Sequence, residues 1–381
     1  MIELNKLLKQ LQNINLGRFS KIDKAYVIGD LHGDLNKFLL FLKSINIIKS
    51  SSFPINYDSY KRTINEMKID VINNIKFNDL SNLKNICIVQ LGDIIDGHNT
   101  CDNKTKGYIN NDVVIYAIID EVINQLKNCY NCHFILIAGN HDIENIFDIY
   151  GIDNKVNGAL CNTYDKYSYW AQYILNYDEV DSYDKINIVR NKLLKRKDYL
   201  QNDFDILHNM YFMISINDQT IFSHTVFYKN VLKKLSYIKG LSIESKNLIE
   251  YLNGIFKYCM NKIKEYADGN KIDCAVFDNI INDLFKIVST RSNINNKIRD
   301  EKDVVNISNN GSHLFVGHEV QNEFKKIKHN MFNFYVYYID IGISKSLYDK
   351  NTLTNYYYVV IDYYDKKVII NKCSDRKCIE F

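Results

Sequence analysis

Three short blocks carry the residue types that hold cations and move protons. Gly29-Asp30-Leu31-His32-Gly33-Asp34 sets a carboxylate and an imidazole at alternate positions. Gly92-Asp93-Ile94-Ile95-Asp96-Gly97 supplies two carboxylates, and Gly139-Asn140-His141-Asp142 an amide, an imidazole and a carboxylate. Alternate residues of an extended segment share a face, so Asp30 and His32 can bind one cation together. Asp93 can bridge that cation to a second, which Asn140, His224 and His318 would complete as neutral ligands. Oxygen and nitrogen donors without thiolate suit Mn best, with Fe or Zn as alternatives, over Mg alone or a Cys-bound structural zinc. Two such ions, roughly 3.5 to 4 Å apart, polarise a phosphoryl oxygen, orient the ester and lower the pKa of a bridging water toward about 7, giving a hydroxide for attack. His141 is then placed to protonate the leaving alkoxide, and Asp96 to hold its imidazole in the required tautomer.

Residues so far apart need elements that bring them to one edge. Apolar runs at Ala25 to Ile28, Ile86 to Leu91 and Phe134 to Ala138 each end in one of the glycine-led blocks. Helical patterns separate them, at Leu35 to Ile48 with Asp34 as N-cap and at Asp112 to Leu126. Strand, helix, strand, helix, strand predicts a parallel sheet with ligands beyond its carboxyl ends. Further strands are expected at Tyr211 to Ile216, at Thr220 to Ser223 ahead of His224, and at Leu314 to Val316 ahead of Gly317-His318. Others are expected at Phe334 to Ile341, Tyr356 to Asp362 and Lys367 to Asn371, with helices over Ile243 to Tyr266 and Cys274 to Ile287. The organisation expected is an amphipathic helix over 1–20, carrying Leu4, Leu7, Leu8 and Leu11, then one domain over 21–372 and a tail over 373–381. Polar or Tyr- and Lys-rich stretches at 50–85 and 147–207 read as insertions in that domain.

Composition narrows the function classes. The 381 residues are 46% hydrophobic and 24% charged, which excludes a disordered chain and a membrane bundle. Lys and Arg number 48 against 45 Asp and Glu, a net +3, so no broad polyanion surface is expected and nucleic acid is not an expected partner. The runs Arg190 to Lys197 and Lys325 to Lys328 read as solvated helix or loop faces. The Tyr and Asn excess reads as codon bias. No apolar run approaches the roughly 18 residues that span a bilayer, and no cleavage site follows the start, so a cytoplasmic location without membrane contact is expected. The nine Cys are expected to be reduced thiols.

The ordered blocks GDLHG, GDIID and GNHD, followed by His224 and Gly317-His318, resemble the calcineurin-like metallophosphoesterase superfamily and its phosphoprotein phosphatase branch. Ile339-Asp340-Ile341-Gly342-Ile343-Ser344 is similar to a late block of Shewanella-like protein phosphatases. The resemblance implies a four-layered α/β sandwich with helical insertions. It implies a first metal on Asp30, His32 and Asp93, a second on Asp93, Asn140, His224 and His318, and His141 with Asp96 as the proton-donor pair. Two positions depart from the pattern. Gly97 and His98 stand where the family has the Arg that grips substrate phosphate, a contact worth on the order of 1.5 to 3 kcal/mol. His224-Thr225-Val226 replaces His-Gly-Gly. Arg291, with Asn140, is the expected phosphate-binding group. The implied activity is hydrolysis of phosphate monoesters, foremost phosphoserine or phosphothreonine in proteins, or else of a small phosphoester. A nucleotide or dinucleoside-polyphosphate hydrolase, a phosphodiesterase, and a non-catalytic metal-holding scaffold are the alternatives. Substrate choice would reside in the two insertions, and the oligomeric state is left open.

Overall fold

The computed structural model describes residues 16–52, 64–94, 112–143, 209–228, 248–267, 274–290, 313–319, 324–329, 334–340, 356–374 and 377–380, together with Lys6, Leu232 and the pairs 293–294 and 297–298. Nearly continuous apolar runs make the strands that are covered on both faces. β2 (Lys24–Ile28), β5 (Ile86–Gln90) and β6 (His133–Leu136) pair in parallel. On the other side of β2 lie β14 (Tyr356–Asp362), β15 (Lys367–Ser374) and β16 (Lys377–Glu380), all antiparallel, completing the sheet order β16-β15-β14-β2-β5-β6. A second six-stranded sheet has the order β1-β7-β8-β11-β13-β12. Its members are β1 (Arg18–Phe19), β7 (Met213–Ile216), β8 (Thr220–Ser223), β11 (His313–Val316), β12 (Lys325–His329) and β13 (Phe334–Tyr338), while β9 (Asn293–Ile294) and β10 (Lys297–Ile298) pair only with each other among the described residues. β8, β11 and β13 run parallel to one another, so this sheet also presents carboxyl ends.

The sheets face each other across an apolar layer. Val27, Val89, Ile135 and Val359 of the first meet Ile214, Phe222, Phe315 and Tyr337 of the second. The alternate residues point the other way and are covered by helices. Phe41 of α1 (Leu35–Ser44) lies 5.5 Å from Tyr358, and α3 (Asp112–Leu126) buries Ile115, Ile118 and Ile119 in the same outer layer. On the second sheet, α4 (Leu248–Ala267) sets Phe256 6.1 Å from Phe212 and packs beside α5 (Cys274–Val288). Helix, sheet, sheet, helix is the expected four-layered α/β sandwich.

Several expected boundaries shift. α1 stops at Ser44 rather than Ile48 because Asn46 adopts a left-handed φ of 60°. Its N–H donates to Lys43 O (3.1 Å) and that of Ile47 to Leu42 O (2.9 Å), which satisfies the last carbonyls of the helix. Within the stretch read as the first insertion, the described residues are ordered into elements: β3 (Ile48–Ser51) pairs with β4 (Ile75–Phe77), and Met67 and Val71 of α2 (Ile64–Asn74) are buried in the main core. The helix expected over 1–20 gives way to strand at Arg18–Phe19, whose backbone joins β7; most of its other residues, like the insertion 147–207, lie outside the described residues. The tail over 373–381 is instead the edge strand β16 and the end of β15. Lys325 to Lys328 lie on β12, an edge strand of the second sheet, where lysines discourage further strand pairing. Cys373 is disulfide-bonded, against the expectation of nine reduced thiols. The β15/β16 register sets its backbone opposite Cys378. Cys87, Cys129, Cys132 and Cys259 are free.

Candidate metal centre

Five strand ends deliver the candidate residues: β2 leads to Asp30 and His32, β5 to Asp93, β6 to Asn140 and His141, β8 to His224 and β11 to His318. All seven side chains are buried at this one edge. Three of them, His32, Asp93 and His318, occupy left-handed backbone conformations with φ of 47°, 49° and 58°. Such conformations cost non-glycine residues energy and persist where surroundings enforce them. Here the enforcement is hydrogen bonding between loops. Leu31 and His32 N–H groups donate to Asp93 O (2.9 and 2.8 Å), and Gly33 N–H to Ile94 O (2.9 Å). The Gln90 amide, fully buried, donates to Gly29 O (3.3 Å) and Gly92 O (2.5 Å) and accepts from Gly92 N–H (3.0 Å). His318 N–H donates to the Asp30 carboxylate at 3.0 Å.

The side-chain geometry converges on Asp93. Its Oδ2 lies 3.8 Å from His32 Nε2, 3.9 Å from His141 Nε2 and 3.4 Å from His224 Nε2. Two groups of mutually close donor atoms share it: His32, Asp93 and His141, and Asp93, His224 and His318. Asp30 stands at their border, with Oδ2 3.9 Å from His32 Nε2 and Oδ1 3.7 Å from His224 Nδ1. Asn140 Oδ1 lies 3.1 Å from His224 Nε2, which is itself 3.1 Å from His318 Nδ1. His224 Nδ1 donates to Leu91 O at 2.7 Å, so the tautomer is fixed and Nε2 is left to face the centre. The sequence-derived set is thus brought together, except Asp96 and Arg291, which lie outside the described residues, as does His98.

Electrostatics fit a cationic occupant. Burial, then the neighbouring Asp340 and Asp93, push the Asp30 carboxyl well above its usual range. Burial would raise Asp93 as well, but His224, His141 and His32 hold it well below. Burial acts to lower His224, but Asp93 prevails and raises it. Asp142 is pushed up to about 6 by burial and Asp93. Four buried carboxylates, Asp30, Asp93, Asp142 and Asp340, with imidazoles among them make a site where divalent charge relieves mutual repulsion. The donor set also fits by chemistry: carboxylate, amide oxygen and imidazole, with no thiol.

Two residues escaped the sequence reading. Asp142, given no ligand or proton-transfer role in the third block, is buried and accepts from Asp93 N–H (2.8 Å), Ile94 N–H (3.1 Å) and Gly139 N–H (3.0 Å). Its signal was its place inside the third block. Gln90 sits in an apolar strand and gave no signal. The Thr225 substitution also finds a use, since its hydroxyl donates to Ile287 O (3.1 Å), tying the His224 loop to the end of α5.

The sequence model of the calcineurin-like phosphoesterases matches residues 24–229, more than half of the chain. The chain belongs to this family. Among solved structures, this calcineurin-like phosphoesterase is similar to a cold-active protein tyrosine phosphatase, with a TM-score of 0.51 and 15% identity over 98% of this chain and 82% of that one. A cold-active protein-tyrosine phosphatase of a psychrophilic Shewanella species gives a TM-score of 0.47 and 14% identity over 97% and 84%. A protein serine/threonine phosphatase from Saccharomyces cerevisiae gives 0.38 and 12% over 97% and 89%. The first of these bears out the sandwich fold. A search of curated proteins returns no match. No helix among the described residues is long and apolar enough to cross a membrane.

Proposed function

We propose that this phosphoesterase hydrolyses phosphate monoesters, with phosphoserine and phosphothreonine of proteins as its substrates. The observation that carries the reading is the pair of donor groups sharing Asp93. Asp30, His32 and Asp93 would hold one divalent ion and Asp93, Asn140, His224 and His318 the other, Mn being the best match to these donors. When bound, the pair supplies Lewis-acid neutralisation of phosphoryl charge and an activated water. The chain's own work is orientation and proton transfer. His141 is the general acid that protonates the leaving alkoxide. Its backbone N–H donates to Asp93 Oδ1 (2.8 Å), and its ring meets the His32 ring edge-on at 5.0 Å between centroids, so its direction is fixed. Asp96 would orient that imidazole. Arg291 would bind phosphate in place of the Arg missing after Asp96; in support, Thr290 directly precedes it, and Ile287, three residues before Thr290, is bonded to the His224 loop.

Turnover of an aryl phosphate and of phosphoserine, phosphothreonine and phosphotyrosine peptides with added Mn tests the reading. The tyrosine arm is included because the neighbour with a TM-score of 0.51 is named a tyrosine phosphatase. Asp93→Asn is expected to lose detectable turnover. His141→Ala should lose about 10²- to 10⁴-fold on alkyl phosphates and less on the aryl phosphate, whose leaving group needs no proton. Full activity in either variant overturns the assignment. The missing Arg favours one second reading, a metal-holding scaffold, which two bound metals without hydrolysis of any of these substrates would establish instead.

A further inference from the structure

We infer that Asp142 is the positioning residue of the centre: it sets the conformation of the shared ligand Asp93 and locks it in register with Asn140 and His141. The inference rests on the two-metal reading above and names a device within it. The side chain of Asp142 reaches backward from the helical turn that opens at Asn140, and all three of its described hydrogen bonds come from backbone N–H groups. Oδ2 accepts from Asp93 and Gly139, and Oδ1 from Ile94. One oxygen therefore joins the loop bearing the bridging carboxylate to the loop bearing the amide ligand and the proton donor.

The segment it holds is the hub of the edge. Asp93 and Ile94 donate their N–H groups to Asp142, and their carbonyls receive the N–H groups of Leu31, His32 and Gly33. The peptide planes on either side of Asp93 are thus pinned, and this fixes its left-handed φ of 49°. Without that φ its carboxylate would not point between the two imidazole groups. A return contact closes the arrangement, since His141 N–H donates to Asp93 Oδ1 at 2.8 Å. Asp142 itself is fully buried, and the charge it brings is stabilised by those backbone dipoles. An amide in its place presents N–H to at least one of the three donors, so the clamp opens while the size of the side chain is kept.

Outer partners of this kind commonly govern metal affinity by about 10- to 100-fold. The test uses the full chain, with Mn as the probe. Parent, Asp142→Asn and Asp142→Glu proteins are loaded with Mn and desalted; retained metal is counted by elemental analysis and affinity by calorimetric titration. Melting without metal reports the fold, and kcat, KM and the pH profile on an aryl phosphate report the proton donor. The expected result is a D142N protein that melts near the parent without metal, retains fewer than two ions and binds Mn at least 10-fold more weakly. Its kcat should fall more than its KM rises, and its pH profile should shift because His141 has lost its register. D142E, which restores a carboxylate, should recover much of the affinity. A D142N chain that holds two ions at the parent's affinity overturns the inference. If D142N does not fold, Asp142→Ser replaces it under the same expectations, and if neither folds even in excess Mn, Asp142 serves the fold and the inference is overturned. A parent that binds no metal would defeat the proposed function instead, so the two failures are distinct.

Discussion

Gly139 shows how little room the centre leaves for a single atom. A Cβ there would collide with the backbone and the carboxylate of Asp93, and one on Gly317 with the carboxylate of Asp30. Gly139→Ala is therefore expected to displace the shared ligand and lower retained Mn, read by elemental analysis after desalting; a full complement of metal would contradict it. These glycines serve close approach, and they explain why the blocks were legible: a small residue beside Asp, Asn or His at a strand end marks both the space and the donor. Asp30, His32, Asp93, Asn140 and His318 could be read for that reason, His141 from its place next to Asn140, and His224 from the apolar strand ahead of it. Gln90 and the clamping role of Asp142 could not, because their partners are backbone groups of loops distant in sequence. Bonds to the main chain leave no residue-type signature.

At the scale of elements, β11 links core packing to pH. Phe315 is fully buried, stacked 4.4 Å from Tyr337 and 5.5 Å from Phe222. Phe315→Ala should cost about 3 to 5 kcal/mol in urea unfolding, since the space between two sheets cannot collapse. His313, on the same strand, is held below the ordinary imidazole value by burial and by Lys326, as His133 on β6 is by burial. A depressed imidazole pKa means that the unfolded chain takes up protons that the fold refuses. Their contribution to stability is thus present above the unfolded value near 6.5 and is lost as pH falls below it. His313→Gln should flatten the loss between pH 7.5 and pH 5.5, and an unchanged slope would contradict this. Arg18 fastens β1 to α4 through the buried Glu250, and to Asp218 at 2.8 Å. Arg18→Ala strands that carboxylate, at a cost of about 1 to 3 kcal/mol by the same measurement. Strand and helix bodies were legible from apolar continuity and period, whereas their ends were set by turns such as the one at Asn46, which period does not reveal.

For the whole molecule, turns and charge matter most. Among the described residues, Asn46, Asn85, Asn131 and Asn217 all adopt left-handed φ, so the abundant Asn takes on part of the work of Gly, of which the chain has 15. The clustered carboxylates predict that chelation destabilises the entire sandwich. Restoring Mn to about 100 times its dissociation constant should return about 2.7 kcal/mol, seen as a rise in melting temperature, and an unchanged melt would contradict a metal-held edge. The contact between Asp30 and His318 spans 288 positions. During synthesis, the first ligands leave the ribosome long before their partners exist, and no local segment can rehearse the finished centre. Closing so long a loop is slow, so the capacity to hold both ions should arrive late in maturation, after the strands carrying His224 and His318 have joined the second sheet. An unfinished chain therefore has little means of acting on phosphoesters.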